Sequence, residues 1–413
     1  MFVFSMQLME YLRLCKPPVV HIGKDALASK RLVERCKTTL KSVYYPCPYV
    51  WNRHLVLLPF MMKGFWTKVI WPTVKWEREL ITLQDGEKIA LDWAISDKDE
   101  CCSEGTKESD DDTPIVMIHH GAYCNSKDFP GQDYVHTAHK RGWIVCALNR
   151  RGHGGRNTPM TKARWNFFGS TSDVAYIAKE VILKRRPRAR LLMVGFSAGS
   201  ALTAKFFGEY RDLFTAGVGV CPGYDITRCM ARFARVYHDV LLYLGKRFYL
   251  MKNMELLRDV KGYDNCMAAT NLQEWLSAAH AMAGYKSPED YYANCNPMVS
   301  VDEIKNPCLF INAEDDPLCV IENFYENKTF IDKSKHCIVA VTKTGSHLPF
   351  FEGFLMENWA DRATYEFFDA ALEEVASKNN NDNNNEEEEE EEEEEGDNAN
   401  YVIVTDDKMA MHC

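Results

Sequence analysis

Leu191-Leu192-Met193-Val194-Gly195-Phe196-Ser197-Ala198-Gly199 is a buried apolar run that breaks at a serine flanked by small residues. The run reads as a strand turning abruptly into a helix. A serine at such a turn is pushed out of the backbone, with its hydroxyl exposed above a helix N-terminus, in the G-x-S-x-G nucleophile elbow. The turn brings strand and helix close together, and Gly195, Ala198 and Gly199 leave the room it needs. Two glycines and a serine at this spacing arise by chance in many chains, so the surroundings carry the argument.

Outward from the elbow, strands and helices alternate. Ile115-Val116-Met117-Ile118, Trp143 to Leu148, Leu191 to Val194, Ala216 to Cys221, Cys308 to Asn312 and Cys337 to Val341 read as buried strands. Tyr134 to Lys140, Asp173 to Arg186, Ala198 to Tyr210 and Arg362 to Ser377 read as helices between or after them. Upstream, Glu79 to Leu83 and Lys88 to Ile95 read as a hairpin turned at Asp85-Gly86. Strand–helix alternation predicts an α/β fold with a mostly parallel, doubly wound sheet. Residues 225–300 interrupt the alternation with helical segments (Thr227 to Tyr249, Met251 to Val260, Leu272 to Ala283), too long for a crossover. They predict an inserted helical cap over the carboxyl edge of the sheet, where ligands bind in such folds. The expected organisation is an N-terminal extension over 1–76, the α/β domain over 77–376, and a disordered Asn/Glu-rich acidic tail over 377–413.

A serine hydroxyl is a weak nucleophile at neutral pH. It needs an imidazole base, and the imidazole needs an acid to fix its tautomer. In this architecture the chain order is serine, acid, histidine. Asn312-Ala313-Glu314-Asp315-Asp316-Pro317 follows one predicted strand, and Thr344-Gly345-Ser346-His347 follows the next. Spacing from the strand end favours Asp315 as the acid over Asp316 and Glu314, with His347 as the base. Acyl transfer also needs two N–H donors for the developing oxyanion. Ala198, after the serine, is one. Ala122, in His119-His120-Gly121-Ala122-Tyr123, is the other. No Cys, Asp or Glu near His119 and His120 completes a metal site, and no cofactor motif is read.

Together these residues resemble the α/β-hydrolase superfamily. They are most similar to the branch of bacterial YheT esterases, plant embryogenesis-associated proteins and animal abhydrolase lipases. The resemblance runs from about Trp51 to Phe368. It rests on Leu83-Gln84-Asp85-Gly86, Leu91-Asp92-Trp93, His120-Gly121, Asn149-Arg150-Arg151-Gly152-His153-Gly154-Gly155, the elbow, Gly284-Tyr285, Tyr291-Tyr292, and the acid and histidine loops. It implies an α/β-hydrolase fold, serine hydrolysis of carboxylic esters (glycerolipids or phospholipids in animal-type members), and Ser197, Asp315 and His347 as the triad. The chain departs from the pattern at Ser200, where the family carries glycine, and at Ala122-Tyr123-Cys124, where small residues are usual. The same triad also serves peptidases and thioesterases, and a binding protein can keep this fold without catalysis.

Composition sets bounds on partners. The net charge of −10 is misleading: residues 377–413 carry 14 acidic and 2 basic residues, which leaves 45 acidic against 47 basic elsewhere. Charge therefore gives the folded part no reason to bind nucleic acid. The substrate expected is a small ester or lipid. The 15 cysteines, without metal-type spacing, read as free thiols in a reducing compartment. No signal peptide is read, and the apolar stretch Leu55 to Trp71 is broken by Pro59, Lys63 and Lys68, short of a spanning helix. The expectation is a cytoplasmic protein, with room for peripheral membrane contact through residues 1–71. Tyr401-Val402-Ile403-Val404 reads as a short strand without an evident partner.

Overall fold

The computed structural model describes residues 2–66, 74–96, 103–128, 130–155, 158, 160–384 and 402–404. Ten strands form one sheet: β1 (Val19–Ile22), β2 (Lys75–Thr82), β3 (Lys88–Ile95), β4 (Ile115–His119), β5 (Ile144–Asn149), β6 (Leu191–Phe196), β7 (Ala216–Val220), β8 (Cys308–Ala313) and β9 (Cys337–Thr342), with β12 (Val402–Val404) last. A small hairpin, β10 (Phe351–Glu352) with β11 (Glu357–Asn358), stands apart. The sheet order is β12-β1-β9-β8-β7-β6-β4-β5-β3-β2. From β9 to β5 all neighbours are parallel, while β3–β5, β2–β3 and β1–β9 are antiparallel. This is the mostly parallel, doubly wound α/β sheet expected from the alternation.

The central strands are buried on both faces, as parallel strands with helices on each side must be. Their side chains alternate between two cores. Val116, Ile118, Leu192 and Val194 enter the core shared with helices Gly131–Lys140 and Trp359–Asn384. Ile115, Met117, Leu191 and Met193 enter the opposite one, with Ile177, Phe206 and Phe324. A one-residue slip would exchange the two faces, so register is strongly specified.

The described part of the N-terminal segment is not an appendage. β1 lies inside the sheet between β9 and β12, with Val19 opposite Val341 and Val402. Helix Leu27–Arg35 packs on the C-terminal helix, where Arg31 Nη2 meets Glu374 Oε1 at 2.9 Å. Val19-Val20-His21-Ile22 behind Pro17-Pro18 was too short to register as a strand, and its partner β9 lies more than 300 residues away. The C-terminal boundary also shifts: helix Trp359–Asn384 runs past residue 377. The strand at 402–404 is paired, parallel to β1. The polar residues 97–102 and the glutamate run 386–395 lie outside the described residues.

The interruption between β7 and β8 is helical. Its first helix breaks at Arg232–Ala234 into Ile226–Ala231 and Arg235–Gly245. The second piece lies close against Trp275: a Cβ on Gly245 would sit 2.9 Å from that ring. Trp165, Phe167 and Phe168, from the segment after β5, join the cap core around Tyr249, Trp275 and Tyr291. Among the described residues no helix is long and apolar enough to cross a membrane, and no disulfide joins the described cysteines.

Candidate active site

Because β4, β6, β8 and β9 run parallel, their carboxyl ends lie on one edge. The loops that follow them carry Ala122, Ser197, Asp316 and His347. Ser197 sits in the turn from β6 to helix Ala198–Glu209 with φ 52° and ψ −115°. A Cβ on Gly195 would lie 2.3 Å from Gly199 O, and one on Gly199 would lie 2.3 Å from His119 O. Both positions are therefore closed to any side chain, which is the physical content of the small residues in the motif. Ser200 fits because its hydroxyl turns back to Ser197 O at 2.5 Å.

Other positive-φ residues gather at this edge: Tyr123 after β4, Cys221 after β7, and Ser346 and Leu348 on either side of His347. Non-glycine residues in this region are strained, on the order of 1–3 kcal/mol each, and such strain collects where geometry serves a site.

Ser197 Oγ lies 2.9 Å from His347 Nε2. On the other side of the ring, Nδ1 is 2.9 Å from Asp316 Oδ2 and 3.1 Å from Oδ1. The carboxylate requires a proton on Nδ1, which leaves Nε2 to accept from the serine hydroxyl. Asp316 is 2 % exposed, and its Oδ1 also accepts from the N–H groups of Leu318 (2.8 Å) and Cys319 (2.9 Å). Cys221, Asp316 and His347 place donor atoms within 4.8 Å of one another. His347 uses Nδ1 on Asp316 and Nε2 on Ser197, so its ring has no free lone pair for a metal.

The expected acid is corrected. Asp315 does not reach His347. Its Oδ2 accepts from Thr344 Oγ1 at 2.6 Å and its Oδ1 from Ser346 N at 2.8 Å, which pins the loop that carries the histidine. Burial raises the Asp315 pKa, against the hydrogen bonds from Thr344 and Ser346. The shift from 315 to 316 has a simple origin. β8 continues to Ala313, one residue beyond the expected end, and Glu314 and Asp315 form the turn that follows. Glu314 points away, to Lys343 Nζ at 2.5 Å.

Ala122 and Ala198 both line the cavity beside Ser197 and His347. Neither backbone N–H has a protein acceptor among the described residues. The cavity holds about 200 Å³ and is walled by apolar groups such as Phe167, Ile226, Met230, Phe233, Leu241 and Leu348. Ile226, Met230, Phe233 and Leu241 come from the cap.

Beneath the Ala122 loop, the motif Asn149-Arg150-Arg151-Gly152-His153 contributes to a polar cluster whose roles no local pattern in the sequence reveals. Tyr123 N donates to Tyr249 Oη at 3.0 Å, and Tyr249 Oη in turn bonds His153 Nε2. His153 Nδ1 lies 3.1 Å from Arg151 O. This chain ties the loop after β4 to the cap. Burial pushes the His120 and His153 pKa values well below the usual histidine range, and Arg150 adds to it. Both rings are therefore neutral at physiological pH.

The chain is similar to known proteins over most of its length. The Hydrolase_4 family, described as serine aminopeptidase, S33, matches residues 111–353. The chain is similar to the embryogenesis-associated protein EMB8 of Picea glauca, 25% identical over 80% of this chain and 71% of the relative. It is 25% identical to the human monoacylglycerol lipase ABHD2, covering 86% of this chain and 85% of that protein. It is 24% identical to the human phospholipase ABHD3, covering 85% and 83%. The family match spans more than half of the sequence and includes the elbow and the loops after β4, β8 and β9, so the chain belongs to this α/β-hydrolase family.

Proposed function

We propose that this protein is a serine carboxylic-ester hydrolase, an esterase or lipase acting on acylglycerols or phospholipids through an acyl-enzyme. The observation that carries the reading is the hydrogen-bonded line Ser197–His347–Asp316, opening into an apolar cavity. Ser197 Oγ attacks the ester carbonyl carbon and His347 Nε2 takes its proton. The carbonyl oxygen becomes an oxyanion, held by the Ala122 and Ala198 N–H groups. The tetrahedral intermediate collapses, the alkoxide leaves with the proton from His347, and the acyl group remains on Ser197. Water, deprotonated by His347, then attacks the acyl-enzyme and releases the carboxylic acid. Asp316 holds the imidazole tautomer and its charged form throughout.

Two features support a lipid ester over a peptide. The cavity walls are hydrocarbon and sulfur, suited to an acyl chain. Among the described residues its lining also contains no Asp or Glu to hold the free α-ammonium that an aminopeptidase binds. Relatives whose names denote a monoacylglycerol lipase and a phospholipase support the same choice. Helix Leu57–Phe65 turns Leu58, Met61, Met62 and Phe65 to solvent, which supports peripheral contact with a lipid surface; co-sedimentation with phospholipid vesicles tests that part.

The main test is a fluorophosphonate probe with wild type and Ser197→Ala, followed by assays on p-nitrophenyl butyrate, monoacylglycerol and lysophospholipid. Labelling and ester turnover are expected in wild type and absent in the variant. Labelling that survives Ser197→Ala overturns the reading. Turnover of peptide anilides with none of esters replaces it with a peptidase.

A further inference from the structure

Arg150 follows β5 directly and is 4 % exposed. Among the described residues no Asp or Glu pairs with it, and its Nε and Nη1 have no hydrogen-bond partner. Burial lowers its pKa from the ordinary value, and the groups that oppose the shift are Tyr249 and Cys124 rather than a carboxylate. An unpaired guanidinium in a protein interior is costly. The surrounding structure nonetheless makes room for it: a Cβ on Gly169, which has φ +86°, would lie 2.6 Å from Arg150 Cδ.

The polar contacts of Arg150 point to one peptide. Its Nη2 donates to Gly121 O at 2.9 Å. The Arg150 backbone N–H donates to His120 Nε2 at 3.3 Å, so the proton of that neutral ring sits on Nδ1, 2.8 Å from the same Gly121 O. The Gly121 carbonyl is thus held by two donors from below. In a trans peptide the carbonyl and the next N–H point in opposite directions. Holding Gly121 O downward therefore turns the Ala122 N–H upward, toward the cavity. Gly121 is also close to the nucleophile: a Cβ there would lie 3.6 Å from Ser197 Cβ.

We propose that Arg150 is a positioning residue for the oxyanion: it fixes the Gly121–Ala122 peptide, and its unpaired charge finds its counter-charge when negative charge develops on the reacting carbonyl oxygen. This rests on the serine-hydrolase reading above. The interaction is weak in the ground state and strongest in the transition state, which is the condition for accelerating the chemical step.

The test compares wild type with Arg150→Met, which removes charge and donor, and Arg150→Gln, which removes charge but keeps a donor for Gly121 O. With p-nitrophenyl butyrate, Arg150→Met is expected to lose about 10²-fold in kcat, with KM changed less than about twofold. Affinity for a trifluoromethyl ketone, whose serine adduct carries an oxyanion, falls by a similar factor. Melting temperature stays level or rises, because a buried unpaired cation has been removed. Arg150→Gln falls at least about tenfold in kcat and carries the test if the methionine variant does not fold. Unchanged kcat in the folded variants overturns the proposal. So does a loss in which kcat, KM and melting temperature all worsen together, or a failure of both variants to fold, because each marks a purely structural part. A wild type that neither reacts with the fluorophosphonate nor cleaves esters overturns instead the reading on which it rests.

Discussion

Asp316 Oδ2 stands 2.9 Å from His347 Nδ1, while the adjacent carboxylate of Asp315 faces away from the imidazole and holds Ser346 N at 2.8 Å. Two neighbouring acids on one turn thus do different things: one touches the ring, the other the backbone that carries it. Asp316→Asn is expected to lose on the order of 10⁴-fold in kcat on a soluble ester, because Asn stabilises the wrong tautomer and cannot balance the imidazolium. Asp315→Asn keeps acceptor and shape and is expected to lose less than about tenfold. Equal losses in the two variants would refute the division of labour.

Asp92 on β3 is buried, and Arg78 on β2 clasps it with a fork: Nε to Oδ1 at 2.7 Å and Nη2 to Oδ2 at 2.6 Å. Ser126 Oγ and Asn149 Nδ2 also donate to Asp92 Oδ2. Arg78→Ala leaves the carboxylate without its counter-ion and is expected to destabilise the fold by about 3–5 kcal/mol in urea unfolding. Arg78→Ala combined with Asp92→Asn should recover part of that loss. A double variant no better than the single would show that packing, not charge, accounts for it.

Asp361, near the start of the last helix, is pushed up to about 7, chiefly by burial, with the nearby Asp133 adding to the shift and the Thr137 hydroxyl, Arg141 and Lys140 opposing it. Its Oδ2 accepts from Thr137 Oγ1 at 2.6 Å and its Oδ1 has no partner. The folded pKa lies above the unfolded one, so between about pH 4 and 7 the folded state binds the extra proton. Stability is highest below pH 4 with respect to this group and falls as pH rises to about 7. Asp361→Asn mimics the protonated form. It is expected to remove that slope and to gain up to about 4 kcal/mol at pH 8, with little gain at pH 4. Urea midpoints of both proteins across this range give the answer, and a constant difference between them would contradict it.

Val20 is fully buried in β1, opposite Ala340 of β9. Val20→Asp buries a carboxylate without a partner and is expected to destabilise the whole domain by about 3 kcal/mol or more. The same fall should appear in ester hydrolysis on warming, because Trp51 O and Arg53 O, farther along the same N-terminal segment, accept from Thr344 (3.5 Å) and Ser346 (2.5 Å) in the histidine loop. Unchanged unfolding would mean that the segment contributes nothing to the domain.

The parallel core was legible because its signals are local. Each central strand is an apolar run bounded by turn residues, and Gly195 and Gly199 mark the tight crossing at Ser197 in the sequence itself. β1 and β12 were not legible as parts of this sheet. They are four and three residues long, and what makes them strands is hydrogen bonding to partners hundreds of residues away. Spacing in the sequence favours Asp315 over Asp316 for a related reason. A strand end read from sequence carries an error of a residue or more, and here one residue decides which carboxylate faces the ring.

By itself the sequence determined the α/β alternation, the turn that exposes Ser197, and a histidine and an acid turn in the order this architecture uses, because all of these follow from short-range periodicity and turn chemistry. Only the tertiary structure decided which acid meets His347, that the N-terminal residues complete the sheet, and that the Arg150 guanidinium meets the Gly121 carbonyl. Those facts are relations between side chains and peptides on different strands. They depend on ångström-scale register that no local pattern in the chain records.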